Sequence, residues 1–276
     1  LIIDGHAHAC GAYYSKKSIT NSLKEQHIDM IVLCPGEPNS DKSYSYPMLS
    51  EKIKSSNLGF IFNRIICFIT KLTGVAKHID EQNKYVYELA KSFPKQIIQA
   101  YWINPLDNCC MEKLEKDYLE YDFKMLKLHQ CWNKFDILSE KNIRIFEWAT
   151  KKNMPVFIHL LSKKQVRKFV ALSNNFPNTV IIVAHMIGFK EISDNSINTN
   201  IYYDMSAPQL ISKEILEQVV KRVGCNRIIL GSDIPYGERN LQINIERVKN
   251  LHIDDRGRSN IMGGNIMQLL LKKGDF

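Results

Sequence analysis

Short apolar runs rich in β-branched residues recur along the chain, separated by longer segments whose apolar positions fall three and four apart. The runs span 1–8 (LIIDGHAH), 28–34 (IDMIVLC), 97–103, 123–129, 155–160, 179–185, 200–205 and 227–233. Runs of this length, apolar on both faces, read as buried strands of a parallel sheet. The amphipathic segments 16–27, 80–93, 109–120, 139–152, 163–175, 212–223 and 239–249, with a last one near 260–272, read as helices. Pro94 and Pro177 stand where a helix stops before the next strand, and Ser139 where one starts. Eight strand–helix units in about 270 residues predict one α/β domain over 1–276, a (β/α)8 TIM barrel. An open doubly wound sheet is the alternative, but the turn after the first strand, HACGAYYS, lacks the glycine spacing that fold uses to hold a dinucleotide.

The rhythm breaks once. Residues 35–79 form a long insertion after strand 2, and a long loop at that end of a barrel strand predicts a lid over an active site. Its most apolar piece, LGFIFNRIICFIT (58–70), is broken by Asn63 and Arg64 and is too short to cross a bilayer. It reads as a buried or lid-like amphipathic segment.

The polar residues that punctuate the strands carry the chemistry. His6 and His8 are two apart on the first strand, so they share a face. A pair of imidazoles packs poorly there and chelates well. Strand 5 ends in His159, strand 6 in His185 and strand 8 in Asp233. In a parallel barrel all these ends gather at one mouth, so the five residues are expected to converge. Imidazoles with a carboxylate suit one divalent ion, Zn2+ first, with Mn2+ or Fe2+ as alternatives. Such an ion brings the pKa of a bound water down toward about 7. On strand 4, Met125, Lys127 and His129 share one parity; if that face is inward, Lys127 enters the barrel and His129 reaches the mouth. Trp132 follows at the same end.

Charge and cysteine content narrow the setting. Lys and Arg number 37 against 29 Asp and Glu, a formal charge of +8, but no long basic block occurs. The surplus reads as solvated helix faces. A barrel nuclease of the TatD kind would need a glutamate near the middle of the barrel, where the strand-4 end offers only KLHQ, so no nucleic-acid partner is expected. Seven cysteines without CxxC spacing predict reduced thiols and a cytoplasmic location. The chain opens on Leu1 with no basic-then-apolar leader, which reads as trimmed at its start and without a secretory signal. Ser162 and Ser206 lie near histidines but in no nucleophile elbow, and there is no phosphate-binding loop.

The motifs DGHAH (4–8), KLHQ (127–130), GSDIPYG (231–237) and NIMGGNIMQLL (260–270), with the strand-end histidines, resemble the amidohydrolase superfamily. The similarity is to the branch of aminocarboxymuconate-semialdehyde decarboxylase and related hydrolases. The resemblance implies metal ligation by His6, His8, His159 and Asp233, with His185 beside them as acid, base or electrostatic stabiliser. Asp233 would also accept a proton, and Asp4 would hydrogen-bond structure near the strand. Some superfamily members bridge two metals through a strand-4 lysine. With the one metal usual in this branch, Lys127 would instead meet a substrate carboxylate or pair internally. Lys127, His129, Trp132 and Arg64 are the candidate contacts to a small-molecule substrate, an anionic one included. The implied activity is metal-dependent hydrolysis, with metal-activated water attacking an ester, amide or lactone carbonyl. The alternative is nonhydrolytic decarboxylation or hydration of an unsaturated carboxylic acid. A barrel that binds without turnover is a further reading, and the assembly state, a homo-oligomer included, is left open.

Overall fold

The structure is a computed structural model that describes residues 1–270. In chain order the elements are β1 (Ile3–His8), α1 (Lys16–Glu25), β2 (Met30–Cys34), α2 (Leu49–Lys52), α3 (Leu58–Thr73), α4 (Ile79–Ser92), β3 (Ile97–Trp102), α5 (Cys110–Glu120), β4 (Met125–His129) and α6 (Glu140–Lys152). There follow β5 (Val156–His159), α7 (Lys163–Asn175), β6 (Ile181–Val183), α8 (Phe189–Asn195), β7 (Ile201–Asp204), α9 (Lys213–Val223), β8 (Ile228–Ile229), α10 (Asn240–Lys249), α11 (Asp255–Ser259) and α12 (Asn265–Leu270). The strands are parallel and stand in sequence order from β1 to β8.

Backbone hydrogen bonds then join the last strand to the first. Gly5 N–H donates to Leu230 O at 2.9 Å, Asp233 N–H to His6 O at 2.9 Å and His8 N–H to Ile234 O at 2.9 Å. The seam needs a glycine: a Cβ on Gly5 would lie 2.6 Å from the Ile229 side chain and 2.7 Å from Leu230 O. The architecture is therefore the expected (β/α)8 barrel, with helical insertions after β2.

Two apolar layers follow from strand alternation. Ile3, Val32, Ile98, Met125, Phe157, Ile182 and Ile229 fill the cylinder. The outward set, including Ile31, Leu33, Leu126, Leu128, Ile158, Ile181 and Val183, packs under the helices. Helix starts follow local chemistry: Ser15, Ser162, Ser212 and Asp254 each accept a backbone N–H in the first turn. Ser139 sits at the N-cap of α6 as expected but makes no such bond.

Three expectations differ in detail. β6 ends at Val183 and β8 at Ile229, short of the apolar runs that announce them, and beyond them His185 and Asp233 take left-handed backbone conformations, with φ of 52° and 58°. The seven-residue α8 is too brief to impose a periodicity on the sequence. The last helix, expected near 260–272, begins earlier, as α11 and a π-helical turn over Asn260–Gly264 before α12. Gly257, Gly263 and Gly264 had blurred that pattern; residues 271–272 of that expectation lie outside the described residues.

Asn83 on α4 ties the helix to the end of β3. Its Nδ2 donates to Trp102 O at 2.8 Å, and its Oδ1 accepts from Trp102 N–H at 2.9 Å, all buried. Asn83→Ala leaves both Trp102 groups without partners and should destabilise the fold by about 2–4 kcal/mol. Denaturant titration measures this; a loss within about 0.5 kcal/mol, as for an ordinary surface change, would show the tie to be dispensable.

Among the described residues, no single helix is long and apolar enough to cross a membrane. All seven cysteines are free thiols.

Candidate metal and catalytic site

The C-terminal ends of the strands deliver His6 and His8 from β1, Cys34 from β2, Lys127 and His129 from β4, His159 from β5 and Asp204 from β7. His185, Ser206 and Asp233 follow directly after β6, β7 and β8. All ten are buried. The left-handed backbone at His185 and Asp233 turns the chain out of its strand at once, at a conformational cost tolerated mainly at functional sites.

Hydrogen-bond partners decide which imidazole nitrogens carry hydrogen. His8 Nδ1 lies 2.7 Å from Pro35 O, and a carbonyl only accepts, so Nδ1–H is the donor and Nε2 is the nitrogen open to a ligand. Ser206 settles two rings together. Its hydroxyl donates to Asp204 Oδ2 at 2.5 Å, so Oγ accepts from His6 Nδ1 at 3.0 Å and from His185 Nδ1 at 3.1 Å. Asp204 Oδ2 adds a contact of 3.3 Å to His6 Nδ1. The three lone-pair Nε2 atoms therefore turn to Asp233. His8 Nε2 is 3.4 Å and His6 Nε2 3.6 Å from its Oδ1, and His185 Nε2 is 3.8 Å from its Oδ2. Burial alone would raise the Asp233 carboxyl, but His185, His8 and His6 outweigh it and hold it well below the usual carboxylate range.

Two spacings in this donor set suit a divalent ion. Ligand atoms placed tetrahedrally about 2.0–2.1 Å from one centre stand about 3.3 Å apart, close to the 3.4 Å and 3.6 Å between the first-strand histidines and Asp233 Oδ1. One neighbour competes: Lys127 Nζ is 2.6 Å from His6 Nε2 and 3.9 Å from the centre of the Phe157 ring. Burial pushes the Lys127 ammonium pKa down, against the pull of Cys34, Asp233 and Asp204, which raise it.

His159 is arranged differently. Asn63 of α3 donates both amide hydrogens, to Leu160 O and Leu161 O at 2.9 Å each, so its Oδ1 must face His159 and accept from Nε2 at 2.7 Å. The nitrogen His159 has left to offer is Nδ1. Its ring lies 4.0 Å from the His129 ring and 4.9 Å from that of His185, centroid to centroid. Two groups of ligand atoms lie mutually within 4.8 Å, His6–His8–Cys34 and His6–His185–Asp204, and neither His159 nor Asp233 is in them.

Asp204, Ser206, Cys34 and Asn63 are the residues that sequence reasoning missed. A carboxylate ending the apolar run NIYYDM was a readable signal for Asp204. The Cys34 thiol lies 3.3 Å from His8 Nδ1. Asp4 accepts from Ser232 N–H and Oγ–H at 2.9 Å and 2.6 Å and from Tyr13 at 3.1 Å. Ser206→Ala should weaken metal binding about 10–100-fold with little change in fold, since the His6 ring loses a group that sets its tautomer and His185 beside it loses the same partner. Competition against a chromogenic chelator measures this, and unchanged affinity would assign Ser206 to packing alone.

Above these groups opens a cavity of ≈ 250 Å³, with His8, His129, His159, His185 and Asp233 at its polar end. Tyr44, Tyr46, Phe62, Trp132, Leu210 and Tyr236 form much of the remaining wall. Of the candidate substrate contacts, His129 and Trp132 line it. Lys127 is buried and is not among the lining residues, and Arg64 is exposed on α3 and also outside the lining. The cavity lining contains no lysine or arginine.

A family profile described as amidohydrolase matches residues 69–270, a range that takes in His159, His185 and Asp233 while β1 lies outside it. No curated protein matches the chain. Solved structures match over nearly the whole length. The 2,6-dihydroxybenzoate decarboxylase from Rhizobium has a TM-score of 0.69 at 11% identity, covering 98% of each chain. A dihydroxybenzoic acid decarboxylase from a Polaromonas species, with bound manganese and the inhibitor 2-nitroresorcinol, has 0.68 at 13%, covering 98% of this chain and 96% of that one. A probable 2-pyrone-4,6-dicarboxylic acid hydrolase from Acinetobacter baumannii, with citric acid bound, has 0.66 at 13%, covering 98% of each. At these identities the likeness is one of fold.

Proposed function

Because the chain belongs to the amidohydrolase family, we propose that it is a metal-dependent enzyme that removes CO2 from a small unsaturated or aromatic carboxylic acid without hydrolysis. The carrying observation is the convergence of the His6 and His8 Nε2 lone pairs on Asp233 at the floor of an aromatic-walled cavity. His6, His8 and Asp233 would hold one divalent ion, with His159 as the further histidine at the same mouth. Zn2+ suits these donors, and Mn2+ is supported by the manganese in a related fold. When bound, the ion supplies Lewis-acid polarisation of the substrate's carboxylate and adjacent oxygens.

The chain's own groups do the rest. Loss of CO2 leaves a carbon that must receive a proton. Burial lowers the His185 pKa, which leaves its Nε2 free to take a proton from a substrate hydroxyl and deliver it to that carbon, the oxygen left behind taking a proton from solvent. Asp204 and Ser206 keep His185 and His6 in the required tautomers. His129, stacked on Trp102 with ring planes 6° apart, and Trp132 present flat faces to an unsaturated ring. Helix α3 covers the site through Asn63 and limits water.

Two features favour decarboxylation: the aromatic wall, and the decarboxylases among proteins of the same fold. Hydrolysis of a lactone or ester is the second reading, since the same donors serve it and a hydrolase also shares the fold. Protein loaded with Zn2+ or Mn2+ is assayed with dihydroxybenzoates and with 2-pyrone-4,6-dicarboxylate. Release of CO2 and the phenol supports the first reading, and ring opening without CO2 the second. No CO2 from any hydroxylated aromatic acid, with metal content verified, removes the first.

A further inference from the structure

Helix α3 has a face that nothing among the described residues covers. Ile61, Ile65, Phe68, Ile69 and Leu72 are 59%, 49%, 64%, 47% and 70% exposed. Projected at about 100° per residue they form one continuous strip. The opposite side, with Asn63, Cys67 and Thr70, is buried. One edge of the strip carries Arg64 and Lys71. The other edge is the cavity wall, where Ile65 and Ile69 are at once exposed and lining, beside Phe62 and Ile66.

Charge bears on what would cover this face. From Lys52 to Ile79 the chain holds Lys52, Lys54, Arg64, Lys71 and Lys77 and no Asp or Glu. Lys54 is paired with Glu214. We propose that α3 lies flat on an anionic lipid surface, its apolar strip inserted at the headgroup boundary and its lysines and arginine among the headgroups, with the cavity mouth at the strip's edge. An apolar strip flanked only by cations is what interfacial helices use, and the attraction to anionic lipid adds to the apolar burial. A second copy of the chain fits less well. Two-fold pairing of α3 with itself would bring the Arg64–Lys71 edges of both copies into one interface without an acid in the segment to offset them. The inference is independent of the reaction assigned above.

The test uses the full chain and vesicles of phosphatidylcholine, with or without an equal share of phosphatidylglycerol, read by co-sedimentation. The protein should pellet with the anionic vesicles and release as salt is raised. The F68S/L72S double variant, altered at two exposed positions outside the cavity lining, should partition about a hundredfold more weakly while its thermal midpoint stays near that of the parent. K71E/K77E should lose the preference for anionic over neutral vesicles. Failure of the folded parent to pellet, or equal pelleting of F68S/L72S, overturns the proposal. So does a dimer in sedimentation equilibrium that F68S/L72S dissolves, since a second copy then owns the face.

Discussion

Asp233→Asn should abolish stable metal binding. The substitution nearly preserves shape, so the buried backbone bonds from Asp233 N–H to His6 O and from His8 N–H to Ile234 O are expected to survive. What disappears is the one negative charge toward which the lone pairs of His6, His8 and His185 all turn. An amide oxygen is a weak ligand for a borderline ion, and the carboxylate is here already ionised far below neutral pH by its neighbours. Affinity should therefore fall by more than about a hundredfold, the upper range for losing a group that only supports a ligand. Two measurements check this. Elemental analysis should find the variant essentially metal-free after dialysis, and added Zn2+ or Mn2+ should no longer raise its thermal midpoint as it does for the parent. A variant that retains metal at the parent's stoichiometry would mean that the ion is held elsewhere, and the assignment of the centre would fail with it.

His185→Asn should divide chemistry from metal binding. His185 has φ of 52°, a conformation that asparagine tolerates better than most residues, so the turn after β6 should keep its shape. The asparagine amide can still donate toward Ser206, but it cannot carry a proton between substrate atoms. A positioned acid–base group contributes about 100- to 10,000-fold, so kcat should fall by that order while metal content and thermal midpoint stay near those of the parent. Loss of metal together with activity would make His185 a ligand and leave the proton transfer to another group. The pair of variants thus separates a group that holds the ion from one that moves protons, although both face the same carboxylate.

Much of the fold was legible because its signals are local. The alternation of buried runs and amphipathic segments reflects side chains meeting a sheet on one side and water on the other, so it is written in consecutive residues. His6 and His8 were legible for the same reason: one strand, one face. Lys127, His129 and Trp132 were visible as a cluster, but not their different fates. Trp132 and His129 line the cavity, while Lys127 lies against His6 and Phe157. Arg64, a candidate for a substrate anion, turns out to be exposed beside the buried Asn63. That difference is a helical rotation of about 100°, and it depends on which side of α3 meets the barrel.

By itself, then, the sequence determined the eight-unit barrel, the strand ends where chemistry collects, and the residue types that assemble there. Those properties depend on neighbours within a few positions, through backbone periodicity and burial. The tertiary structure alone decided which nitrogen of each imidazole is free. It did so through partners far along the chain: Ser206 for His6, Pro35 O for His8 and Asn63 for His159. It also decided that the insertion helix would reach into the site on one side and leave an apolar strip bare on another. A hydrogen bond between groups some 200 residues apart has no local trace, since neither partner constrains its own neighbours' hydrophobic pattern.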